Sequence, residues 1–363
     1  MRVLFVVKNM RLSNGVSSYA MNYYRNMVCD NFHYDFLIIN DVGSPYYEEI
    51  KKTGGRIFLS PSYKKKPQDL VLYLNDLFRE NNFDIVHCNV INSGSIVLMM
   101  AKKYGVKVRI LHSHASQTGD KTWKKIRNKL FYTVTLKYAT TYFACSKLAG
   151  ECLFGKHKYY VIPNAIDIDR YMFSEEKRNE IRKKLGVENC KVLMTVGRLT
   201  HQKNPYFIVD IITEYAKTHD DFVFWWFGNG ELEDKIKDYA KNNHVLDKIL
   251  FWGAYTNVNE CYSAADIFIL PSIYEGLPLV GIEAQMSALP IIFSDNITKE
   301  AAISDFVRYL SLENPIQWCL MIDDIMKIDR NVCKQTIKYH EWDIKKRALE
   351  LYKVYHNLID QES

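Results

Sequence analysis

Short apolar runs alternate with amphipathic segments along the whole chain. The first half contains apolar runs that predict strands, and these read "RVLFVV", "YDFLII", "RIFLS", "DIVHCN", "VRILHSH", "YFACS" and "YYVIP". A second series follows, with "KVLMTVG", "DFVFWWFG", "KILFWGA", "DIFILPS" and "LPIIFS". Between the runs lie segments with helical spacing, such as "PQDLVLYLNDLFREN". Strands that are apolar throughout and separated by helices are typical of parallel sheets covered on both faces. Two such series predict two doubly wound α/β domains.

The predicted break between the domains lies near residues 163–173, in the stretch "IPNAIDIDRYMF". Pro163 and Asn164 end the last strand of the first series, and the polar helix "SEEKRNEIRKKLG" follows. An amphipathic helix, "IKKRALELYKVYHNLI", comes after the second sheet is complete. The length of 363 residues agrees with this plan, because domains average about 150 residues.

Composition adds an expectation about the compartment. None of the eight cysteines forms a CxxC pair, and most lie in apolar strands or helices, so we expect buried reduced thiols and no zinc site. The apolar run at the N-terminus is too short for a signal peptide, and no apolar stretch approaches about 20 residues. The sequence therefore predicts a cytoplasmic protein.

The net charge of +6 is unevenly distributed. Residues 1–165 contain 24 Lys and Arg against 11 Asp and Glu, a net charge of +13, whereas residues 166–363 contain 24 against 31, a net charge of −7. Much of the excess lies at 64–66 ("KKK") and at 121–131 ("KTWKKIRNKLF"). Such asymmetry suggests an anionic partner, which is either nucleic acid or membrane lipid; a solvated basic face is the alternative.

Two loops that follow predicted strands carry glycine or basic residues. In parallel sheets these loops form the usual ligand sites. In "NMRLSNGVSSYAMNYY", Asn14 and Gly15 open a helix, where the glycine either lets backbone N–H groups approach a phosphate or makes a tight turn. In "VGRLTHQKN", Gly197 ends a strand, and Arg198 with Lys203 form either a diphosphate clamp or ordinary surface charge.

Two further loops look specialised. In "FGNGELEDKI", Gly228 and Gly230 flank Asn229 before a helix predicted to begin at about Glu231, which indicates either close approach to a ligand or a plain turn. The segment 274–292, "YEGLPLVGIEAQMSALPII", places two acids eight residues apart in an apolar run. Glu275 precedes the predicted helix and Glu283 lies within it, so the two carboxylates are expected to bind two parts of one ligand through its hydroxyl groups.

Together these stretches resemble the retaining glycosyltransferases of family 4. The resemblance rests on "NG" near the N-terminus, "PNAID", "VGRL…QKN", "GNGEL" and the E-x₇-E motif with EGLP inside it. The chain departs from the family at the first loop, where the usual two adjacent glycines are replaced by Gly15 alone. It implies the GT-B fold, two facing Rossmann-like domains with a nucleotide-sugar in the cleft, and the general character is that of bacterial enzymes that build capsular or exopolysaccharide. We assign 1–165 with the C-terminal helix 345–363 to the acceptor domain, and 166–344 to the donor domain.

The resemblance also implies residue roles. Glu275 should touch hydroxyls of the donor sugar, Glu283 should hold the ribose, and Arg198 and Lys203 should bind the diphosphate and neutralise the leaving group. The remaining donor-binding residues are expected to act through backbone N–H groups, through close approach of the chain to the ligand, or through packing on the base. A core position is the alternative for Trp252. These residues are Gly15, Gly197, Gly228, Asn229, Gly230, Trp252, Tyr255, Gly276, Leu277, Pro278, Leu279 and Val280.

A histidine facing the cleft is a further feature of the family. His112 and His114 end a first-domain strand on the same side of it; we favour His114, which is further out, and a satisfied core histidine is the alternative. His87 and His201 are weaker candidates.

The string "DID" at 167–169 spells DxD, a metal-binding sequence in other glycosyltransferases. We expect no metal and no other cofactor, because Arg198 and Lys203 supply the cationic stabilisation.

The sequence thus predicts a retaining glycosyltransferase that moves a hexose or N-acetylhexosamine from a nucleotide-diphosphate sugar, with UDP as the favoured nucleotide. The acceptor is expected to be a lipid-linked saccharide or glycan, reached by peripheral binding of the basic first half to anionic lipid at the inner face of the cell membrane. Alternatives are a GT-B UDP-sugar 2-epimerase and a non-catalytic GT-B partner subunit. A nucleic-acid binder ranks last, since no recognised module interleaves aromatic residues with the cations.

Overall fold

The structure is a computed structural model that describes the chain except residues 13, 28–31, 62–66, 115–131, 256 and 363. The chain forms two compact units. Unit 1 comprises Met1–Ala165 and Ile344–Ser363, and unit 2 comprises Ile166–Asp343. The division predicted from the sequence differs from this one by a single residue, at the start of the last helix.

Unit 1 contains a parallel sheet with the strand order β3-β2-β1-β4-β5-β6-β7. Every residue of β4 is buried, as are five of the six residues in β1 and in β2, which is the burial expected of a sheet covered on both faces. The strands are β1 (Arg2–Val7), β2 (His33–Ile38), β3 (Ile57–Leu59), β4 (Ile85–Cys88), β5 (Val108–Ser113), β6 (Thr141–Ala144) and β7 (Tyr160–Val161).

Unit 2 repeats the plan with the strand order β10-β9-β8-β11-β12-β13, again all parallel. Its strands are β8 (Lys191–Val196), β9 (Phe222–Phe227), β10 (Ile249–Gly253), β11 (Ile267–Leu270), β12 (Ile291–Ser294) and β13 (Val307–Leu310). The apolar pattern predicted the first five strands and missed β13. Among the described strands it pairs with β12 alone, all four of its residues are partly exposed, and Arg308 interrupts its apolar run.

The helices that connect the strands include those predicted near residues 15, 67–81, 174–186 and 231, and in the segment 274–292. In unit 1 they are α1 (Gly15–Asn26), α2 (Tyr46–Lys52), α3 (Pro67–Glu80), α4 (Gly94–Lys103) and α5 (Lys147–Phe154), and residues 132–138 are also helical. In unit 2 they are α6 (Ile168–Tyr171), α7 (Glu175–Leu185), α8 (Pro205–Ala216), α9 (Glu233–Asn242), α10 (Val258–Ala264), α11 (Leu279–Met286), α12 (Pro315–Ile325) and α13 (Arg330–Thr336). Short 3₁₀ turns span His201–Lys203, Leu246–Lys248, Lys299–Ala301 and Tyr339–Glu341.

The last helix, α14 (Ile344–Glu362), belongs to unit 1 although it follows unit 2 in the chain. One face of the helix enters the core of unit 1, where it packs with residues of β1, β2 and α1; this face consists of Ile344, Ala348, Leu351, Tyr355 and Leu358. The spacing of three and four residues is that of a single helical stripe. Burial of this stripe fixes the end of the chain to the first sheet.

The polar helix α7 is held by charge rather than by an apolar stripe. The side chain of Ser174 caps its start by accepting a hydrogen bond from the backbone N–H of Lys177. Arg178 and Arg182 both form ion pairs with Asp266, which precedes β11. The helix therefore packs beside the second sheet despite its composition.

None of the seven described cysteines forms a disulfide with another described cysteine. Cys88, Cys145, Cys261 and Cys333 are buried as expected. Cys152 is exposed, and Cys190 and Cys319 are partly exposed, so the prediction of buried thiols was wrong for Cys152 and only partly right for the other two. Cys152 lies on the solvent side of α5, whose buried residues are Ala149, Gly150, Leu153 and Phe154.

Candidate functional site

The order of strands in unit 2 reverses between β8 and β11. These strands are neighbours in the sheet, but they are not consecutive in the chain, and the connections from them leave in opposite directions. Ligands of doubly wound folds bind beside the carboxyl ends of such strands. The loops at this point are 197–204 and 271–278, which contain Arg198, Lys203 and Glu275.

Lys203 and Glu275 form an ion pair between these two loops. Lys203 Nζ donates to Glu275 Oε1 over 2.5 Å, and the two side chains are only 16% and 10% exposed. Gln202 Nε2 donates to the carbonyl oxygen of Tyr274 over 3.1 Å and lies 3.4 Å from Glu275 Oε2. The backbone adds a bond, since the N–H of Ile273 donates to the Gln202 carbonyl over 2.9 Å. The sequence assigned Lys203 and Glu275 to different parts of the ligand, and the structure holds them in direct contact.

Arg198 differs from Lys203 in its surroundings. Its side chain is exposed, and its guanidinium makes no hydrogen bond or ion pair with the part of the chain that the structure describes. A bidentate cation that is not already paired can bind an anionic ligand without first breaking an internal contact. Arg198 and Lys203 therefore provide one open and one internally paired cation on the same loop.

Close backbone packing explains the glycines around this loop. A Cβ atom on Gly228, which has a φ of +130°, would lie 2.3 Å from the carbonyl oxygen of Gly197, and one on Gly230 would lie 2.2 Å from that of Leu199. Asn229 between them is exposed, and its carbonyl oxygen accepts a hydrogen bond from the N–H of Leu199 over 3.3 Å. These glycines are required for the contact between the β8 and β9 loops, whatever they do with a ligand. The helix that follows begins at residue 233, two residues after the predicted start.

Gly228→Ala should destabilise unit 2. The added methyl group meets backbone atoms of the neighbouring loop and the residue must keep a φ that favours glycine, so we expect the free energy of unfolding to fall by about 1–3 kcal/mol. Gly15→Ala is the matched control, because no atom lies within 4 Å of its Cβ position and its φ is ordinary. Chemical denaturation measures both variants, and equal stability of the Gly228 and Gly15 variants would contradict the packing argument.

Glu283 lies in the body of α11, and Glu275 precedes that helix, as predicted. The hydroxyl of Tyr262, on α10, donates to Glu283 Oε2 over 2.9 Å. Burial raises the pKa of Glu283, and hydrogen bonds from Tyr262 and Tyr171 together with the charge of Arg170 partly oppose that rise. The two glutamates therefore have separate partners: a lysine for Glu275 and tyrosine hydroxyls for Glu283.

The start of α11 offers backbone donors between the two glutamates. Pro278 occupies the N-cap position and no side chain caps the helix. The N–H groups of Leu279 and Val280 have no acceptor within the described residues, whereas the next N–H, that of Gly281, donates to the Pro278 carbonyl. Gly276 and Leu277 form the turn before the helix. This end of α11 can receive an anionic group.

The aromatic candidates follow β10. Tyr255 is 39% exposed, and Trp252 is partly buried, with its ring stacked on Phe227 at 5.4 Å between centroids and 5.3 Å from the ring of Tyr255. Tyr255 can pack on a ligand, and Trp252 lies behind it. The structure leaves the base-packing role of both residues a prediction.

In unit 1, Asn14 and Gly15 begin α1 as predicted. The Asn14 side chain caps the helix by accepting from the N–H of Val16 over 3.0 Å, and its amide donates to Asn9 Oδ1 over 3.2 Å. Gly15 is exposed and has open space at its Cβ position. No packing contact in the described fold therefore requires a glycine at this position. The close approach of a ligand to Gly15 stays a prediction.

His112 and His114 lie on the same side of β5, as strand alternation predicts, with their rings stacked at 4.0 Å. His112 is buried, and its Nδ1 hydrogen-bonds His87 Nε2 over 2.9 Å. His114 is partly exposed, and its Nε2 lies 2.7 Å from Asn89 Oδ1. Burial lowers the pKa of all three imidazoles, that of His114 to about 3. His114 is thus the more accessible of the two candidates, and His112 is a core residue.

Asp167 occupies the N-cap position of α6 and Asp169 lies in its first turn. Across the described ranges, no cluster of three or more His, Cys, Asp or Glu residues is placed to hold a metal ion. The metal-independence expected from the sequence stays a prediction.

Both basic clusters selected from the sequence, at 64–66 and 121–131, lie outside the described residues, including Trp123 and Phe131. No helix in the described part of the chain is long and apolar enough to cross a membrane.

Among the described residues that hydrogen-bond the candidates, Gln202, Tyr171, Tyr262 and Asn89 were not selected from the sequence. Gln202 had a weak signal, since it adjoins Lys203. Tyr262 and Asn89 had none, because an internal tyrosine in a helix and an asparagine at a strand end are common in any fold.

Comparison with known proteins identifies the chain. The model of Glycosyltransferase Family 4 matches residues 13–170, and that of Glycosyl transferases group 1 matches residues 177–341. A Bacillus subtilis (strain 168) protein named "Putative glycosyltransferase EpsF" is 30% identical over 369 residues, covering 98% of this chain and 96% of the relative. The chain belongs to glycosyltransferase family 4. This glycosyltransferase is also 28% identical over 242 residues, 63% of its length and 62% of the relative, to the Escherichia coli UDP-Gal:alpha-D-GlcNAc-diphosphoundecaprenol alpha-1,3-galactosyltransferase.

The fold of the glycosyltransferase is GT-B. The crystal structure of Anabaena Alr3699/HepE in complex with UDP and glucose superposes with a TM-score of 0.78 at 13% identity, covering 98% of this chain and 100% of that one. The fold class predicted from the sequence is therefore confirmed, and so is the prediction of a glycosyltransferase.

Proposed function

We propose that this glycosyltransferase moves a hexose or N-acetylhexosamine, with retention of anomeric configuration, from a UDP-sugar to a lipid-linked saccharide during assembly of a surface polysaccharide. The observation that carries the donor part is the Lys203–Glu275 ion pair beside the open Arg198, at the strand-order reversal of unit 2. The Anabaena structure that shares the fold contains UDP and glucose, and the E. coli relative is named for a UDP-sugar donor.

The chemistry of the loops matches the parts of such a donor. The cations of Arg198 and Lys203 suit a diphosphate, and the N–H groups of Leu279 and Val280, which have no acceptor among the described residues, add neutral donors. Glu275 keeps lone pairs beyond the one that binds Lys203, so it can accept from sugar hydroxyls. Glu283, already bound by Tyr262, is the carboxylate for the ribose hydroxyls.

The proposed reaction needs no protein base. The acceptor oxygen forms a bond to the anomeric carbon on the face from which the diphosphate departs, the bond from that carbon to the diphosphate oxygen breaks, and the departing oxygen takes the acceptor proton. Arg198 and Lys203 stabilise the negative charge that develops on the diphosphate, and positioning by Glu275 and Glu283 supplies the rest. No step is assigned to a metal ion.

A donor screen tests this proposal. The purified protein, incubated with a panel of nucleotide-sugars, should hydrolyse one UDP-sugar slowly to UDP and free sugar, and excess EDTA should leave the rate unchanged. Loss of activity in EDTA with recovery on adding Mn²⁺ or Mg²⁺ would show that the cation pair is insufficient. Conversion of the UDP-sugar to its 2-epimer would identify the alternative enzyme, and absence of turnover with binding intact would identify a non-catalytic subunit.

The acceptor and the membrane contact form the second part of the proposal. The E. coli relative is named for a diphosphoundecaprenol-linked acceptor, and the first half of this chain is strongly basic. Each cation near an anionic bilayer contributes about 1 kcal/mol, and the attraction is screened within about 8–10 Å at physiological salt.

Vesicle sedimentation should therefore show strong binding to anionic vesicles, weak binding to neutral ones and release at high salt. Replacing Lys124, Lys125, Arg127 and Lys129 with glutamine should release the protein and preserve donor hydrolysis, which we assign to unit 2. Binding that does not depend on the charge of the lipid would show that the basic stretch is only a solvated surface.

A further inference from the structure

His114 and Asn89 lie together at the carboxyl edge of the first sheet. Asn89 directly follows β4, and His114 directly follows the neighbouring strand β5. The strand order of this sheet reverses between β1 and β4, so both residues stand at the edge where doubly wound folds bind ligands.

The side-chain amide of Asn89 has a defined orientation. Its Nδ2 donates to the carbonyl oxygens of Val6 over 3.2 Å and of His87 over 3.3 Å. The reversed amide would place its oxygen against two carbonyl oxygens, which no proton could bridge. Oδ1 therefore faces His114 Nε2, at 2.7 Å. Because Oδ1 accepts only, the proton of the imidazole is on Nε2.

Nδ1 of His114 therefore carries no proton and presents a lone pair. It makes no hydrogen bond with any described residue, and the side chain is partly exposed. Burial holds the pKa of His114 at about 3, so the ring is neutral at physiological pH.

The groups that face this ring are neutral as well. His112 on β5 stacks on it, with His87 of β4 behind, and burial lowers the pKa of both. The ring of Tyr19 on α1 lies 4.9 Å away, and burial raises the pKa of its hydroxyl. A neutral lone pair among neutral groups repels an anion and accepts from a hydroxyl.

We propose that Asn89 is a positioning residue that holds His114 as its Nε2–H tautomer, so that Nδ1 accepts a hydrogen bond from a hydroxyl group of a sugar substrate. The tautomer is a property of unit 1 alone, and the sugar hydroxyl as its partner rests on the proposed function. The arrangement favours a neutral sugar over a phosphate at this edge of the sheet, because a sugar hydroxyl can donate a hydrogen bond to Nδ1 and an ionised phosphate oxygen cannot.

Asn89→Leu removes the acceptor that holds the proposed tautomer. Without Oδ1, no described group selects the Nε2–H form, so the imidazole proton can occupy Nδ1 as well. Asn81→Leu is the control, because this asparagine precedes β4 at the opposite edge of the sheet and hydrogen-bonds Arg56 and Leu77 instead.

Nitrogen NMR of imidazole-labelled protein decides the tautomer without any substrate. The His114 signal, assigned by its loss in His114→Gln, should show protonated Nε2 and bare Nδ1 in the wild type and in Asn81→Leu, with no titration between about pH 5 and 8. Asn89→Leu should show a mixture of the two tautomers. A protonated Nδ1 in the wild type would overturn the proposal.

Kinetics with the identified donor decide the use of the lone pair. Sugar transfer by Asn89→Leu should slow by about tenfold or less, because only part of the population keeps a bare Nδ1, while UDP binding by unit 2 stays at the wild-type level. Loss of the single tautomer with no change in transfer would overturn the hydroxyl contact. Absence of turnover in the wild type would count against the proposed function, and the NMR result on the tautomer would stand apart from it.

Discussion

Lys203→Ala should lower the rate of sugar transfer by about 10²-fold or more, a loss of about 3 kcal/mol in transition-state stabilisation. The change removes a cation that we assign to the departing diphosphate. It also leaves the carboxylate of Glu275 buried without its ionic partner, in a loop that must keep its shape to bind the sugar. The two effects act in the same direction, so Lys203→Ala is expected to be more damaging than Arg198→Ala, whose side chain has no partner to lose among the described residues.

Steady-state kinetics of transfer measure this effect, and Lys237→Ala is the matched control. Lys237 forms an ion pair with Glu233 over 2.7 Å in the same unit, but both residues lie on the surface of α9, at 40% and 30% exposure. Exposed pairs of this kind contribute little, so the control should keep wild-type activity and stability. Wild-type turnover by Lys203→Ala would remove this lysine from the mechanism.

Glu283→Gln should weaken binding of free UDP by about tenfold or more, whereas Glu275→Gln should leave UDP affinity within a few-fold of the wild type and reduce turnover. A ribose contact exists whether or not a sugar is attached, and charged hydrogen bonds contribute about 1.5–3 kcal/mol. Glu275 contacts Lys203 rather than the tyrosines that hold Glu283, which separates the two roles in space. Calorimetry with UDP measures both variants, and equal losses of UDP affinity would show that the eight-residue spacing does not divide sugar from ribose.

The raised pKa of Glu283 gives the same prediction a pH dependence. Because burial raises this pKa above the ordinary carboxyl value, the group takes up a proton at a higher pH than an exposed glutamate would. UDP affinity should fall as the pH drops from neutral through that raised pKa, and it should be retained at higher pH. The affinity of Glu283→Gln should lack this component of the pH dependence.

The sequence predicted the parts of the site that are local in the chain. The E-x₇-E segment, with one acid before α11 and one within it, is contained in a single loop and helix, and its register follows from Pro278 and the apolar run. Gly15 at the start of α1 is local in the same sense.

The contacts that give the site its electrostatics are not local. Lys203 and Glu275 are 72 residues apart, and Tyr262 and Glu283 are 21 apart. Each pair forms because two strands or helices that are distant in the chain are neighbours in the unit. Apolar periodicity predicts that parallel sheets exist, but it does not give the strand order that brings the β8 and β11 loops together.

Asn89 illustrates the same limit from another side. It lies 25 residues from His114 in the chain, and the sequence did not select it as a site residue. Strand alternation, by contrast, placed His112 and His114 correctly on one side of β5. The preference for His114 agrees with its greater exposure, yet the state of its ring depends on a neighbouring strand. Likewise, β13 was missed because an edge strand with partial exposure lacks the apolar signal that marked the other strands.

The central claim is that the loops after β8 and β11 hold the nucleotide-sugar. Hydrogen–deuterium exchange of the full-length protein, with and without saturating UDP, tests it directly. We predict that UDP slows exchange in peptides covering 197–204 and 271–286, where the N–H groups of Leu279 and Val280 gain an acceptor, and that the loop at 8–15 in unit 1 changes less. Protection confined to unit 1, or binding of UDP without protection of either unit 2 loop, would contradict the account.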